Sequence, residues 1–168
     1  MELLDVYNSN GEITGKVVER GSKDESFGPD EHIAVAIIYI ENSKGEFLIQ
    51  KTSKEKGGIF SSTGGHIDHG ETPRKTIIRE VKEEIGLDIS NENIIDLGHI
   101  CVDFPVRFIF YLKKDININD LVLKKDEVES MHYLSKDELK KVIDEGKMHK
   151  GHIYVLEKVL EYKKKLGE

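Results

Sequence analysis

The segment IAVAIIYI, at residues 33–40, restricts the fold of this 168-residue chain more than any other stretch does. It is apolar and β-branched almost throughout, which is typical of a strand that is buried on both faces of a sheet. The turn-forming sequence NSKG at 42–45 and the strand-like EFLIQKT at 46–52 follow it, so the two apolar segments are predicted to pair. We therefore expect a sheet with residues 33–40 in its interior.

Strand-like and helix-like segments are mixed along the rest of the chain. This mixture predicts one α/β layered domain over residues 1–168, with a mixed β-sheet and helices packed against it. The remaining predicted elements are an N-terminal hairpin at 3–20 that turns at Asn10-Gly11, strands at 94–104, 106–112 and 128–134, and C-terminal helices within 135–166, the first with a Ser135–Glu138 capping box.

The charge of the chain argues against two classes of partner. The net charge is −7, and the 25 Lys and Arg residues are scattered. Such a surface does not favour binding to nucleic-acid polymers or to membranes. The single cysteine, Cys101, excludes an intrachain disulfide, and the first twelve residues lack the basic and apolar regions of a signal peptide. These features predict a cytoplasmic protein with a small-molecule partner.

Residues 73–85 are predicted to form a helix with well-marked ends. Thr72 is a suitable N-cap, Pro73 fits the first helical position, and Gly86 is a natural stop. At about 100° per residue, one stripe of this helix would face the core. That stripe consists of Ile78, Val81 and Ile85.

Three acidic residues crowd a neighbouring face of this helix. Glu80, Glu83 and Glu84 fall within an arc of about 100°, where like charges repel by a few tenths of a kcal/mol per pair. One interpretation is a solvated, charged face. The other is a divalent-cation site, because carboxylate oxygens suit magnesium and a bound cation converts the repulsion into shared attraction. The helix alone leaves both interpretations open.

The spacing of a longer motif favours the cation site. Residues 65–87, GHIDHGETPRKTIIREVKEEIGL, carry the pattern G-x5-E-x7-R-E-V-x-E-E-x-G-L. This pattern resembles the complete signature, or Nudix box, of the Nudix hydrolase family. The pattern fixes nine residues, and at average composition even seven of them match by chance only about once in 10⁸ start positions. The resemblance implies the family's α/β/α sandwich over most of the chain.

The resemblance also implies an activity and a metal site. Nudix enzymes hydrolyse a diphosphate linked to another moiety, X, usually with Mg²⁺ or Mn²⁺. The implied substrate is a nucleoside-diphosphate-X or a related small organic diphosphate. By position, Glu80, Glu83 and Glu84 would be metal ligands, and Gly64 would offer its backbone carbonyl oxygen. Family members are often dimers, which leaves a homodimer open.

Two further roles follow from the resemblance. Glu71 and Arg79 would form the ion pair that holds the loop against the helix, and we expect Arg79 to align the acidic face without neutralising it. The general base differs among family members. Here the candidates are Glu80, within the box, and Glu127, which precedes the last predicted strand. Glu127 could instead be a metal ligand or an ordinary residue of a surface loop. The moiety X would be selected by loops at 21–31, 53–58 and 115–127.

The N-terminal half also resembles the isopentenyl-diphosphate isomerase branch of the family. That enzyme has a cysteine acid/base where this chain has Gly64, and its later Glu-x-Glu metal motif falls near Asp103 and Pro105. Because the cysteine and at least one ligand of that motif are missing, and the hydrolase box is intact, we rank a hydrolase above an isomerase. His32 and His66 have counterparts in that branch, either as contacts to metal or substrate or as hydrogen-bonded structural residues. A non-catalytic nucleotide sensor is a third alternative, although all three box glutamates are present.

Overall fold

The computed structural model describes residues 2–21 and 27–168. Residues 22–26, in the predicted loop 21–31, lie outside the described residues. The described chain forms, in order, strands and helices β1 (Leu3–Tyr7), β2 (Ile13–Glu19), β3 (Ala34–Glu41), β4 (Glu46–Thr52), β5 (Phe60–Ser61), β6 (Thr63–His66), α1 (Pro73–Ile85), β7 (Ile95–Ile100), β8 (Val106–Lys113), β9 (Val128–Ser135), α2 (Lys136–Asp144) and α3 (His152–Lys165).

The main sheet is mixed, as the sequence predicts. Its strand order is β5-β4-β3-β8-β7, with β6 also pairing with β3 and β9 with β4. The pair β3–β8 is parallel and the other pairs are antiparallel. β3, formed by most of IAVAIIYI, therefore lies in the interior of the sheet.

The two faces of β3 are covered by different helices. Ala36 and Ile38 pack in a core that also contains Ile77, Val81 and Ile85 of α1. On the other face, Ile37 and Tyr39 pack in a core to which α2 and α3 contribute. The predicted α/β/α sandwich is confirmed, and its sheet lies between α1 and the two C-terminal helices.

The N-terminal hairpin forms a separate two-stranded sheet of β1 and β2. Backbone hydrogen bonds of 2.8 Å in both directions join Tyr7 to His32, just before β3. The Asp5 carboxylate, buried in β1, lies 2.7 Å from Nδ1 of His69 and accepts a 3.0 Å hydrogen bond from the Gly70 amide. The hairpin thus fixes the loop that leads from β6 to α1.

Helix α1 has the ends that its sequence predicts. Thr72 Oγ1 accepts a hydrogen bond from the Lys75 amide, and Gly86 adopts φ of 70° at the C-terminal end. Val81 and Ile85 are fully buried, whereas Ile78 is only partly buried against the same core. Within the described residues, no helix combines the length and apolar composition needed to cross a membrane.

Candidate active site

Two glycines in β6 bring the backbone close to other elements. A Cβ atom on Gly64 would lie 2.1 Å from the Ala36 carbonyl oxygen, so no other residue fits there without moving the sheet. A Cβ atom on Gly65 would lie 2.4 Å from the carboxyl carbon of Glu80. The Gly64 amide donates a 3.3 Å hydrogen bond to Glu84 Oε2. β6 therefore places glycine backbone, which carries no side chain, directly against the acidic face of α1.

Arg79 ties the loop before α1 to the helix. Its Nε donates to Glu71 Oε2 at 2.9 Å, and its Nη2 donates to Glu71 Oε1 at 2.8 Å. Thr76 Oγ1 donates a 2.6 Å hydrogen bond to the same carboxylate. These hydrogen bonds hold the pKa of Glu71 below its usual value, and those from the Arg79 guanidinium have the largest effect. Glu71 is thus a fixed anionic anchor for Arg79.

Arg79 also contacts the acidic face itself. Its Nη1 donates to Glu80 Oε1 at 2.9 Å and to Glu83 Oε2 at 3.2 Å. Our expectation that Arg79 aligns this face without neutralising it is wrong, because one guanidinium reaches Glu71, Glu80 and Glu83 together. The remaining acid, Glu84, has no ion pair among the described residues.

Glu84 is the most buried of the three helix acids, with 8% of its surface exposed. Burial raises the pKa of Glu84 to about 8, and the negative charge of Glu80 adds to this effect. Burial also raises the pKa of Glu80, although the positive charge of Arg79 opposes the change. Two adjacent carboxylates are therefore held where their negative charge is unfavourable unless a cation joins them.

The loop before β9 brings Glu127 to the same place. The Lys124 amide donates to the carbonyl oxygen of Glu84 at 2.9 Å, and the Ser53 amide donates to the carbonyl oxygen of Glu127 at 3.0 Å. The Glu127 carboxylate lies 3.8 Å from Lys56 Nζ. Its charge contributes to the raised pKa of Glu84. The loop thus adds Glu127 and Lys124 to the site, next to Lys56 from the segment between β4 and β5.

These groups line a cleft of about 530 Å³. Glu71 is not among its lining residues and acts on it only through Arg79. The predicted site residues that line the cleft are Gly64, His66, Arg79, Glu80, Glu83, Glu84 and Glu127.

The two candidate histidines lie in different places. His32 is not among the cleft-lining residues. Its Nδ1 lies 2.8 Å from the Phe104 carbonyl oxygen and its Nε2 lies 3.2 Å from Asp30 Oδ1. His66 does line the cleft, at the end of β6. The structure therefore brings only His66 together with the acids, and it gives His32 hydrogen-bond partners away from them.

Several cleft residues were missed by the sequence reasoning. The sequence does contain a signal for Arg107, since a charged residue stands at the start of the apolar strand VRFIFYL. This signal was not used. His152 lies in the MHKGH segment at 148–152, which could contact a phosphate but was interpreted as a connector between two helices, and nothing in the local sequence marks Ser62. The missed polar residues of the cleft include Gln50, Lys56, Ser62, Arg107, Lys124 and His152.

The donor set fits a divalent cation. Three carboxylates on adjacent turns supply hard oxygen ligands, and one of them, Glu84, is buried without a counter-cation among the described residues. In the described part of the chain, however, no three His, Cys, Asp or Glu side chains already form a complete ligand set. Arg79 holds Glu80 and Glu83, so a cation would compete with this guanidinium for them.

Comparison with known proteins identifies the family. A family model of the NUDIX domain matches residues 30–159 of the chain. The chain belongs to the Nudix hydrolase family. The prediction made from residues 65–87 is thereby confirmed. Nudix hydrolases as a family use divalent metal ions and act on small molecules.

Individual relatives agree with this assignment. An uncharacterised Nudix hydrolase of Listeria monocytogenes is 35% identical over 156 residues, with 87% of each chain covered. The 8-oxo-dGTP diphosphatase of Proteus vulgaris is 33% identical over 107 residues, covering 61% of this Nudix chain and 92% of that one. The crystal structure of DR0079 from Deinococcus radiodurans has a TM-score of 0.73 and 21% identity, and covers 87% of this chain and 91% of that one. This likeness shows a shared fold.

Proposed function

We propose that this Nudix hydrolase cleaves the diphosphate linkage of a nucleoside-diphosphate-X or a related small organic diphosphate, with Mg²⁺ or Mn²⁺ as cofactor. The observation that carries the proposal is Glu84, a buried carboxylate beside Glu80 that has no ion pair among the described residues. We also propose that the chain acts in the cytoplasm on a small molecule and is a single domain, with a homodimer as an open alternative.

The residues divide into three roles. Glu80, Glu83 and Glu84 would hold the cation, with the Gly64 carbonyl oxygen as a further ligand. When bound, the cation neutralises charge on the phosphate oxygens and lowers the pKa of a bound water. Arg79, anchored by Glu71, sets the position of the Glu80 and Glu83 carboxylates.

The phosphates would lie between the acids and the lysines of the cleft. Lys56 and Lys124 both line it, and they can contact the non-bridging oxygens of a diphosphate. The attacking water must lose a proton, and two carboxylates are placed to accept it. Glu80 lies against Gly65 at the end of β6, and Glu127 lies across from α1. Both remain candidates for the general base.

A substrate panel tests this proposal. Purified protein would be assayed for phosphate-containing products from nucleoside triphosphates, nucleotide sugars, dinucleotide polyphosphates and prenyl diphosphates, with Mg²⁺ and with Mn²⁺. We expect hydrolysis of at least one class that stops when Glu83 and Glu84 are both replaced by Gln. The control is Glu129→Gln, an exposed acid near Lys51 that does not line the cleft. Hydrolysis by the double variant at the wild-type rate would refute the site assignment.

A second assay separates the two candidate bases. Loss of a ligand raises the cation concentration needed for half-maximal rate, whereas loss of the base lowers kcat at saturating cation. We expect Glu127→Gln or Glu80→Gln to show the second pattern, with a fall in kcat of about 10²-fold or more. If neither variant loses kcat, the base lies elsewhere.

The isomerase alternative gains no support from the site. Gly64 has no side chain that could transfer a proton. Cys101 lies beside His32, with its Sγ 3.8 Å from Nδ1, and is not among the cleft-lining residues.

A further inference from the structure

Arg107 lies on the opposite face of the sheet from α1. It pairs with Val35 in the parallel β3–β8 ladder, and Val35 pairs with His66 in β6. Directly opposed residues on neighbouring strands share a face, so these three side chains form one row. Val35 packs against the core that contains α2 and α3. With strands about 4.8 Å apart, Arg107 lies roughly 10 Å across the sheet from β6, which Glu80 contacts.

Arg107 is fixed and largely neutralised. Both of its Nη atoms donate to the Asp103 carboxylate, the Nη2 to Oδ2 at 3.1 Å. This end-on pairing leaves the Nε–H and the outer Nη hydrogens available. A Cβ on Gly151 would lie 2.8 Å from Nη2, so glycine makes room for the guanidinium before α3. Arg107 therefore offers oriented donors, although only 7% of its surface is exposed.

His152 adds a neutral polar group nearby. Its Nδ1 lies 3.0 Å from the hydroxyl of Tyr39, in a buried contact. Burial first, and the positive charge of Arg107 second, lower the pKa of His152 to about 3. The imidazole is therefore uncharged at neutral pH, and the contact with Tyr39 engages only one of its two ring nitrogens.

Ser62 supplies an unused polar atom. Its side chain is buried and lines the cleft, yet its Oγ has no hydrogen-bond partner among the residues that the structure describes. Buried hydroxyl groups are nearly always hydrogen-bonded in folded proteins. Because Ser62 lines the cleft, a bound ligand can supply a partner for this hydroxyl.

We propose that Arg107, His152 and Ser62, here called the head-group subsite, bind the carbonyl oxygens and ring nitrogens of a nucleobase. The inference rests on the proposed function, because it assigns the rest of the substrate whose diphosphate lies at the acids. It makes the substrate a nucleoside diphosphate derivative and excludes a prenyl diphosphate.

The chemistry of the head-group subsite favours a base over other groups. Asp103 balances the charge of Arg107, so the subsite suits neutral acceptors better than a second phosphate. A guanidinium matches paired acceptors on the edge of a base, as in its contacts with guanine O6 and N7. Ile33, Val35 and Pro105 also line the cleft and can contact the flat face of the ring. A hydrocarbon chain would leave the polar groups unpaired.

Binding measurements test the subsite without requiring turnover. The probes are a non-hydrolysable methylene analogue of a nucleoside diphosphate, taken with each of the common bases, and methylenediphosphonate, which carries no base. Affinities would be measured by calorimetry with Mg²⁺ present. We expect Arg107→Met to weaken binding of at least one nucleotide analogue by about 10- to 100-fold. Binding of methylenediphosphonate should stay within about twofold, because no base is lost.

The control variant is Lys113→Met, an exposed residue on the same strand that is paired with Glu168. It should bind both probes as the wild type does. An equal loss of both probes in Arg107→Met would show a phosphate contact and overturn the proposal, as would no loss at all. If Arg107→Met does not fold, Ser62→Ala decides. This variant should bind the nucleotide analogue about three- to tenfold more weakly, and its affinity for methylenediphosphonate should not change.

Failure of this inference differs from failure of the hydrolase proposal. Wild-type protein that binds the nucleotide analogue through Arg107 but hydrolyses no diphosphate would refute only the hydrolase. Wild-type protein that hydrolyses prenyl diphosphates as efficiently as nucleotides would refute only the head-group subsite.

Discussion

Arg79 and Glu71 are joined by two hydrogen bonds of 2.8 and 2.9 Å, and the same guanidinium also contacts Glu80 and Glu83. The position of Arg79 therefore decides how much negative charge the acidic face of α1 presents. Because Glu71 holds the Nε and Nη2 atoms, only Nη1 is shared with the helix acids. Glu71 thus limits the competition between Arg79 and a cation.

Replacing Glu71 by Gln should weaken cation binding. Freed from one carboxylate, Arg79 would pair more fully with Glu80 and Glu83, and the apparent affinity for Mg²⁺ or Mn²⁺ should fall about 10- to 100-fold. Cation titration followed by calorimetry measures this directly. Glu129→Gln serves as the control, and unchanged affinity in Glu71→Gln would show that the anchor has no such role.

Replacing Glu84 by Gln should stabilise the cation-free protein. The variant removes a buried carboxylate that has no counter-cation among the described residues, so the free energy of unfolding in chelator should rise by about 1 to 3 kcal/mol. Wild-type protein should gain about 2.7 kcal/mol when the cation is at 100 times its Kd, and the variant much less. Urea unfolding with and without Mg²⁺ checks both effects. A destabilised variant in chelator would contradict this account of Glu84.

The neighbouring glycines of β6 should respond differently to alanine. In Gly64→Ala the new Cβ would meet the Ala36 carbonyl oxygen at 2.1 Å, and backbone cannot give way cheaply. We expect a loss of about 3 kcal/mol or more in the free energy of unfolding. In Gly65→Ala the Cβ would meet the Glu80 carboxylate, which can rotate away. That variant should fold but bind the cation about tenfold or more weakly.

Thermal unfolding and cation titration of the two variants check this contrast. Equal destabilisation of both would mean that the Glu80 carboxylate is as fixed as the sheet backbone. Full cation affinity in Gly65→Ala would mean that Glu80 is not placed by its contact with β6.

The sequence predicts features that depend on local patterns better than features that depend on long-range contacts. The ends of α1 follow from Thr72, Pro73 and Gly86, whose preferences act within a few residues. The interior position of β3 follows from its continuous apolar run. Both kinds of signal are contained in short windows, and the structure agrees with them. The three acids of α1 were recognised from the whole pattern at 65–87, because their spacing on the helix alone is equally compatible with a solvated face.

The rest of the cleft depends on contacts between distant segments. Arg107 reaches it only because β8 pairs in parallel with β3, and His152 because α3 begins over Tyr39. The contact of Arg79 with Glu80 was also missed. The Arg79 Nη1 contacts the carboxylate of the next residue, although the two positions lie about 100° apart around the helix axis. Side-chain reach of this kind is not fixed by residue spacing.

Replacing Lys163 by Met should destabilise the protein far from the cleft. The Glu41 carboxylate is 1% exposed and is contacted by Lys163 and by the Tyr111 hydroxyl. Without the lysine, a buried charge keeps only the hydroxyl, so the free energy of unfolding should fall by about 3 kcal/mol. Substrate KM should not change. The double variant with Glu41→Gln should recover part of the loss, and a loss below about 1 kcal/mol in Lys163→Met would contradict the prediction.

His152 should make the protein less stable in acid. Burial lowers its pKa from 6.5 to about 3, so between these values the unfolded chain binds a proton that the folded chain does not. Its contribution to stability is therefore fully present above pH 6.5 and is lost as the pH falls towards 3. By about pH 5 the loss should reach about 2 kcal/mol, because one pKa unit corresponds to about 1.4 kcal/mol.

His152→Gln should lack this loss of stability in acid, because an amide can keep a hydrogen bond to Tyr39 without titrating. Urea unfolding of wild type and variant at about pH 7.5 and about pH 5 measures the difference. Relative to the variant, the wild type should lose about 2 kcal/mol on acidification. Since all other groups are common to both proteins, they largely cancel in this comparison. Parallel pH dependence of the two proteins would show that His152 accepts its proton at an ordinary pH and is not held neutral beside Arg107.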